Sequence, residues 1–286
     1  MLDVSFAGPA LPTTGALALL VGEGASPSGL WQAADEATGG AVTRAFAAAE
    51  FTGKDGQSCT ILAPSLKEGT LTRIVAAGLG READLTPRKI EEAAGTAIAG
   101  LAREPEVTIA ADTLTAEQAA LAAMGATLRS YRFDLYRTKQ KPDEKPRLSR
   151  LTVLAADQEA ATAAWKPLAA VAHGIFTTRD LVSEPANILT PAEFASRIEK
   201  LRDLGLIIEV HGQPELEALG FGSLLGVSQG SANPPRMVTM RWNGAADEKP
   251  VAFIGKGVTF DTGGISIKPA SGMEDMKWDM AGAGAV

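Results

Sequence analysis

The alternation of short apolar runs with amphipathic stretches predicts an α/β protein whose sheet is mostly parallel or mixed and is covered by helices on both sides. Two further observations support that class. Hydrophobic residues make up 45% of the chain, with 30 glycines and 16 prolines, an ordinary globular composition. A length of 286 residues is enough for two domains.

In the first unit, Val4 to Ala7, Leu17 to Val21, Cys59 to Ala63, Arg73 to Ala77, Val107 to Ala110 and Leu151 to Ala155 read as strands. Between them, Ile90, Ala93, Ala94, Ala97, Ile98 and Leu101 recur at three- and four-residue spacing, which marks one face of a helix. Thr113 to Met124 is rich in alanine, which loses no side-chain entropy in a helix. Lys139 to Pro146 has no apolar period and holds Pro142 and Pro146, so it reads as a loop. A long helix starts within Glu159 to Pro167 and places the boundary there, giving units of 1–160 and 161–286. In the second unit, Thr190 to Leu204 reads as a helix with Pro191 in its first turn, where the missing N–H would have no partner anyway. Leu206 to Val210, Met237 to Trp242 and Val251 to Ile254 supply strands lying side by side, the last of them buried.

Composition narrows the function without naming it. A net charge of −7 and a pI near 5.1 argue against a nucleic-acid partner. The local exception is Arg129 to Arg150, where Arg132, Arg137, Lys139, Lys141, Lys145, Arg147 and Arg150 gather; it reads as a solvated loop. Cys59 is the only cysteine, so no intramolecular disulfide forms and a reducing, cytoplasmic setting fits. The longest apolar run near the amino terminus, Ala16 to Val21, is too short for a signal peptide or a membrane span.

The chemistry concentrates between Val251 and Val286. Lys256 follows the apolar run Val251 to Ile254, and Asp261 follows a second one, Val258 to Phe260. Each polar group therefore stands at the carboxyl end of an apolar stretch, where α/β sheets place their ligands. Gly263 and Gly264 after Asp261 let the backbone turn with positive φ and approach closely whatever the carboxylate holds. Lys268 and Asp279 complete the group, with Asp279 just before Ala281 to Ala285, an alanine-glycine run suited to a closely packed helix. Charges in such surroundings survive by pairing with each other or by binding a metal.

The segments GKGVTFDTGGISIKP and MEDMKWDMAGAGAV resemble the metal-binding core of the leucyl aminopeptidases, the cytosolic dinuclear-metal enzymes of peptidase family M17. The stretch from Arg179 to Asn187, with Leu189-Thr190-Pro191 beyond, is similar to the family's RDLxNEPAN segment, and Gly222 to Ser231 with Pro234-Pro235-Arg236 agrees as well. The resemblance is specific from about Thr178 onward and weaker before it, where Ser130 to Asp134 matches best. It implies a macro-like amino-terminal α/β domain with a mixed sheet, followed by the start of an α/β catalytic domain with a central mixed sheet flanked by helices. It further implies that Lys256, Asp261 and Asp279 are metal ligands, with Asp261 bridging two divalent ions, Mn²⁺ or Zn²⁺ with Mg²⁺ or Co²⁺ as alternatives. Lys268 would be catalytic, meeting the substrate carbonyl as a protonated amine, whereas Lys256 must bind metal as the neutral amine. Met276 would line the pocket for the first side chain, and the four charged residues would also contact the substrate. Peptides beginning with leucine or another apolar residue are the implied substrates, and a homo-hexamer the implied assembly.

One departure bears on activity. The family's NTDAEGR motif, which supplies a further aspartate and glutamate as ligands and a catalytic arginine, is not found in these 286 residues. Three protein ligands do not fill two metal sites. The expectation is therefore a chain cut within the catalytic domain and inactive by itself, the complete protein being a peptidase. The competing expectation is a non-catalytic assembly or binding module, or an inactive relative. Other chemistries lack their signatures: His173 and His211 form no HExxH motif, Ser183 and Ser228 lie in no nucleophile elbow, and no P-loop or GxGxxG follows a strand. Glu184 and Asn187 read as structural, tying the turn before the Thr190 helix.

Overall fold

The computed structural model describes residues 1–245 and 248–286, with all of their side chains except that of Asp143. It divides into two compact units, Met1–His173 and Gly174–Val286. The first unit begins with β1 (Asp3–Ala7), β2 (Thr14–Gly22), α1 (Gly29–Ala37), α2 (Ala41–Ala48), β3 (Ser58–Leu62) and β4 (Thr70–Gly80). It continues through α3 (Pro87–Leu101), β5 (Glu106–Ala110), α4 (Ala116–Ser130) and β6 (Arg150–Leu154) into α5 (Gln158–Ser183), a helix whose residues belong partly to each unit.

These strands form one sheet in the order β1-β6-β5-β2-β4-β3, parallel throughout except for the antiparallel pair β3–β4. The mixed α/β sheet expected from the alternation is thus present, and each strand read from the sequence in the first unit lies on it. Side chains along β2 alternate between two cores. Ala16, Ala18 and Leu20 join Ile90, Ala94, Ile98, Ala119 and Ala123 on one face, while Leu17, Leu19 and Val21 meet Leu30, Val42 and Phe46 on the other. The alanines on α3 and α4 let the two helices approach until backbone touches backbone. A Cβ at Gly125 would fall 2.1 Å from the Glu91 carbonyl oxygen, so glycine is required there. Thr115 starts α4 with a capping box, its hydroxyl accepting from the Gln118 N–H and the Gln118 side chain accepting from the Thr115 N–H.

The second unit continues with α6 (Pro191–Glu199), β7 (Ile207–His211), α7 (Gln213–Ala218), α8 (Gly222–Ser228), β8 (Met237–Arg241) and α9 (Ala281–Ala285). Thr190 caps α6, with Pro191 in its first turn as the sequence predicts. Glu184 is 5% exposed and accepts a hydrogen bond from Arg197 at 2.9 Å, so it ties the end of α5 to α6, the structural role read for it. Strands β7 and β8 pair antiparallel. The strand expected at Val251 to Ile254 does not form, and its side chains are exposed, Ile254 at 94%. The physical reason is that an apolar run supplies strand propensity but not a ladder; among the described residues the sheet stops at two strands, and the run finds neither partner nor cover.

Candidate functional site

The site is built from two local arrangements in the second unit. In the first, Asp261 opens a tight turn through Gly263 and Gly264, at φ 88° and 66°. Asp261 Oδ1 accepts the Gly263 N–H at 2.8 Å, and a Cβ at Gly263 would lie 2.3 Å from the Ser266 carbonyl oxygen. The turn folds the chain back so that the Lys268 N–H reaches the Thr262 carbonyl at 2.9 Å. Lys268 Nζ then stands 2.7 Å from Asp261 Oδ2 and donates to the Asp261 carbonyl at 3.0 Å.

The second arrangement joins residues far apart in sequence. Gly255 lies directly on the α9 backbone: a Cβ there would fall 2.4 Å from the Gly282 carbonyl oxygen. The Ala283 N–H donates to the Lys256 carbonyl at 2.9 Å, locking the crossing. With both backbones held, Lys256 Nζ meets Asp279 Oδ2 at 3.0 Å. Met280, fully buried against Leu181, Leu189 and Phe194, anchors the segment, and the Thr178 hydroxyl donates to the Gly284 carbonyl at 2.8 Å. The alanine-glycine run therefore packs closely as read, but its partner, Gly255, was hidden because nothing local marks it. Asp279 itself lies in a 3₁₀ segment, Met273–Met280, that follows the left-handed Gly272; the α-helix starts two residues later.

The four charged residues thus come together as two ion pairs, one of the two outcomes the sequence leaves open. They are half-buried rather than enclosed, with side-chain exposure from 21% at Asp279 to 59% at Lys256. Lys268 holds the Asp261 carboxyl below the usual aspartate range, chiefly by its hydrogen bond, with help from the Gly263 N–H and the charges of Lys268 and Lys256. Met276 sits half-buried three residues before Asp279 in the same 3₁₀ segment.

Among the described residues, no three His, Cys, Asp or Glu side chains gather into a metal-holding group. The available donors are the Asp261 and Asp279 carboxylates and the Lys256 amine, each carboxylate already facing positive charge. Oxygen and nitrogen donors of this kind fit part of a site for a divalent ion of hard or intermediate character.

Residues 18–140 match the N-terminal domain of the cytosol aminopeptidase family, and residues 176–286 match its catalytic domain. The chain belongs to the cytosol aminopeptidase family. It is 50% identical over 276 residues to a probable cytosol aminopeptidase of Caulobacter vibrioides, covering 96% of this chain and 56% of that protein. It is 46% identical to the probable cytosol aminopeptidase of a Chelativorans species, covering 99% and 58%. The chain therefore spans little more than half the length of these curated relatives. Among solved structures, a variant of tomato leucine aminopeptidase matches with a TM-score of 0.81 at 25% identity, covering 99% of this chain and 57% of that one. The bottromycin maturation enzyme BotP in complex with Mn matches with a TM-score of 0.71 at 29% identity, covering 95% and 54%. The α/β class agrees with these likenesses. Among the described residues, no helix is long and apolar enough to cross a membrane.

Proposed function

We propose that the whole protein is a metal-dependent aminopeptidase that removes amino-terminal residues from peptides, leucine and other apolar residues first. The observation that carries the reading is the presence of two ion pairs, Lys256–Asp279 and Lys268–Asp261, in a chain of the cytosol aminopeptidase family. Asp261, Asp279 and Lys256 would hold divalent ions, two per chain, Mn²⁺ or Zn²⁺. Bound there, the ions supply Lewis acidity and an activated water.

The chain's own residues divide the remaining work. Lys268, which donates to the Asp261 carboxylate and carbonyl, would meet the oxygen that gains charge as the peptide carbonyl becomes tetrahedral. Lys256 has the opposite task. It pairs with Asp279 across the backbone crossing and would serve metal as a nitrogen donor. Met276 offers an apolar, adaptable wall to the first side chain of the substrate. Three donors fall short of two metal sites, so further donors must come from another stretch of chain, a partner copy or water. The same reading carries a homo-hexamer working in the cytoplasm.

The test is hydrolysis of leucine p-nitroanilide by the whole protein before and after exhaustive chelation. The expected result is loss of activity on chelation and its return with Mn²⁺ or Zn²⁺. Full activity without metal would refute the proposal, and no activity under any metal would favour a non-catalytic assembly or binding module.

A further inference from the structure

The two lysines of the site are held differently, and the difference bears on how the site would take metal. Lys256 Nζ donates to Asp279 Oδ2 at 3.0 Å, and 59% of its side chain is exposed. Lys268 is fastened to its turn along its whole length. Its N–H donates to the Thr262 carbonyl at 2.9 Å, and its stem lies over Gly263, where a Cβ would come within 3.2 Å of the Lys268 Cγ. Its Nζ then reaches two oxygens of Asp261, Oδ2 at 2.7 Å and the carbonyl at 3.0 Å. Only 31% of this side chain is exposed, so water and salt screen its charge incompletely.

The same turn commits both carboxylate oxygens of Asp261. Oδ1 accepts the Gly263 N–H at 2.8 Å, and Oδ2 faces the Lys268 ammonium. The carboxyl lies below the usual aspartate range chiefly through the Lys268 hydrogen bond, so the lysine stabilises the very anion that a metal ion would use.

We propose that Lys268 holds down the metal affinity of the site by competing with the incoming ion for Asp261. A divalent ion that takes Asp261 as a donor must either displace the lysine or share the carboxylate with it, and two cations on one carboxylate repel each other. Loading then follows the supply of metal. Lys256, as a nitrogen donor, acts the other way and raises the affinity. Two lysines in similar ion pairs therefore influence metal binding with opposite sign. This inference rests on the reading of Asp261 as a metal ligand.

The test is titration of Mn²⁺ into the chelated whole protein at one fixed pH and ionic strength, with free Mn²⁺ followed by electron paramagnetic resonance. Lys268→Met keeps an unbranched stem over Gly263 and removes the charge. It is expected to bind Mn²⁺ at least about tenfold tighter, the low end of what partners of a ligating carboxylate are worth. Structural damage would weaken the site, so a gain in affinity separates competition from misfolding. Lys268→Arg keeps the charge and is expected to bind no tighter than the parent. Unchanged or weaker binding in Lys268→Met, or equal tightening in Lys268→Arg, would overturn the proposal. Asp261→Asn isolates the underlying reading and is expected to weaken Mn²⁺ binding at least about tenfold. No loss in that variant would sink both the reading of Asp261 and the proposal; a loss there without a gain in Lys268→Met would overturn the proposal alone.

Discussion

The two units draw on similar apolar runs and do different things with them. In the first, six strands share one sheet, both faces are covered, and large side chains such as Leu17, Leu19, Ile74 and Ile109 are fully buried. In the second, two strands pair, and the buried cluster is Leu181, Leu189, Phe194 and Met280. Val251, Phe253, Ile254, Ile265 and Ile267 lie open beside the candidate site. The comparison teaches that an apolar run becomes a strand only where neighbours complete its ladder, whereas tight turns and glycine crossings form from what is already at hand. The charged pairs of the second unit belong to that self-sufficient kind, and so they assemble although the surrounding sheet does not.

The sharpest way to break this contrast is proteolysis under native conditions. Segments without buried contacts open at little free-energy cost, whereas a packed sheet is cut only through global unfolding. The stretch from Glu248 to Ala270 should be cleaved first, leaving a resistant core that ends near the boundary within α5. Cleavage within β2, β4 or β5 on the same timescale would erase the distinction. Next in size, Leu17→Ala should cost about 2–5 kcal/mol in urea unfolding through lost burial and a residual cavity. Phe253→Ala should stay within about 0.5 kcal/mol, as expected for an exposed side chain. Similar costs for the two would show that Val251 to Ile254 is buried in solution. The smallest effect concerns Asp261. Its lowered pKa means that the stabilisation from its pairing is complete above the unfolded-state value and is lost as pH falls through the folded one. Carboxyl-carbon NMR should place its titration below that of ordinary aspartates, and Lys268→Met should move it back up. An unchanged titration in that variant would remove Lys268 as the main cause.

How far the sequence could be read follows the same division between local and distant causes. The strands of the first sheet were legible because apolar runs bounded by polar residues met complete neighbours. Helices α1 and α2 were not. The start of α1 depends on Asp112, whose carboxylate accepts the Leu30 N–H at 2.9 Å from 82 residues away, and α2 follows a left-handed Gly40. In the site, the turn after Asp261 was legible from its two glycines, and its hydrogen bonds span only a few residues. The pairing of Lys256 with Asp279 crosses 23 residues and depends on Gly255 fitting against Gly282, which no local pattern announces. The burial assumed for Val251 to Ile254 failed for the complementary reason: composition was right, but among the described residues no strand pairs with the run.

The central claim is that two lysines twelve positions apart do different work, Lys256 as a nitrogen donor to metal and Lys268 as a cation directed at the substrate. Metal content of the purified whole protein, measured by inductively coupled plasma spectrometry for Lys256→Ala and Lys268→Ala together with kcat, tests it most directly. Lys256→Ala is predicted to lose both metal and turnover. Lys268→Ala is predicted to retain metal while kcat falls about 10²–10³-fold, the usual loss when one electrostatic stabiliser is removed. Equal metal loss in the two variants, or full metal retention in Lys256→Ala, would contradict the assignment.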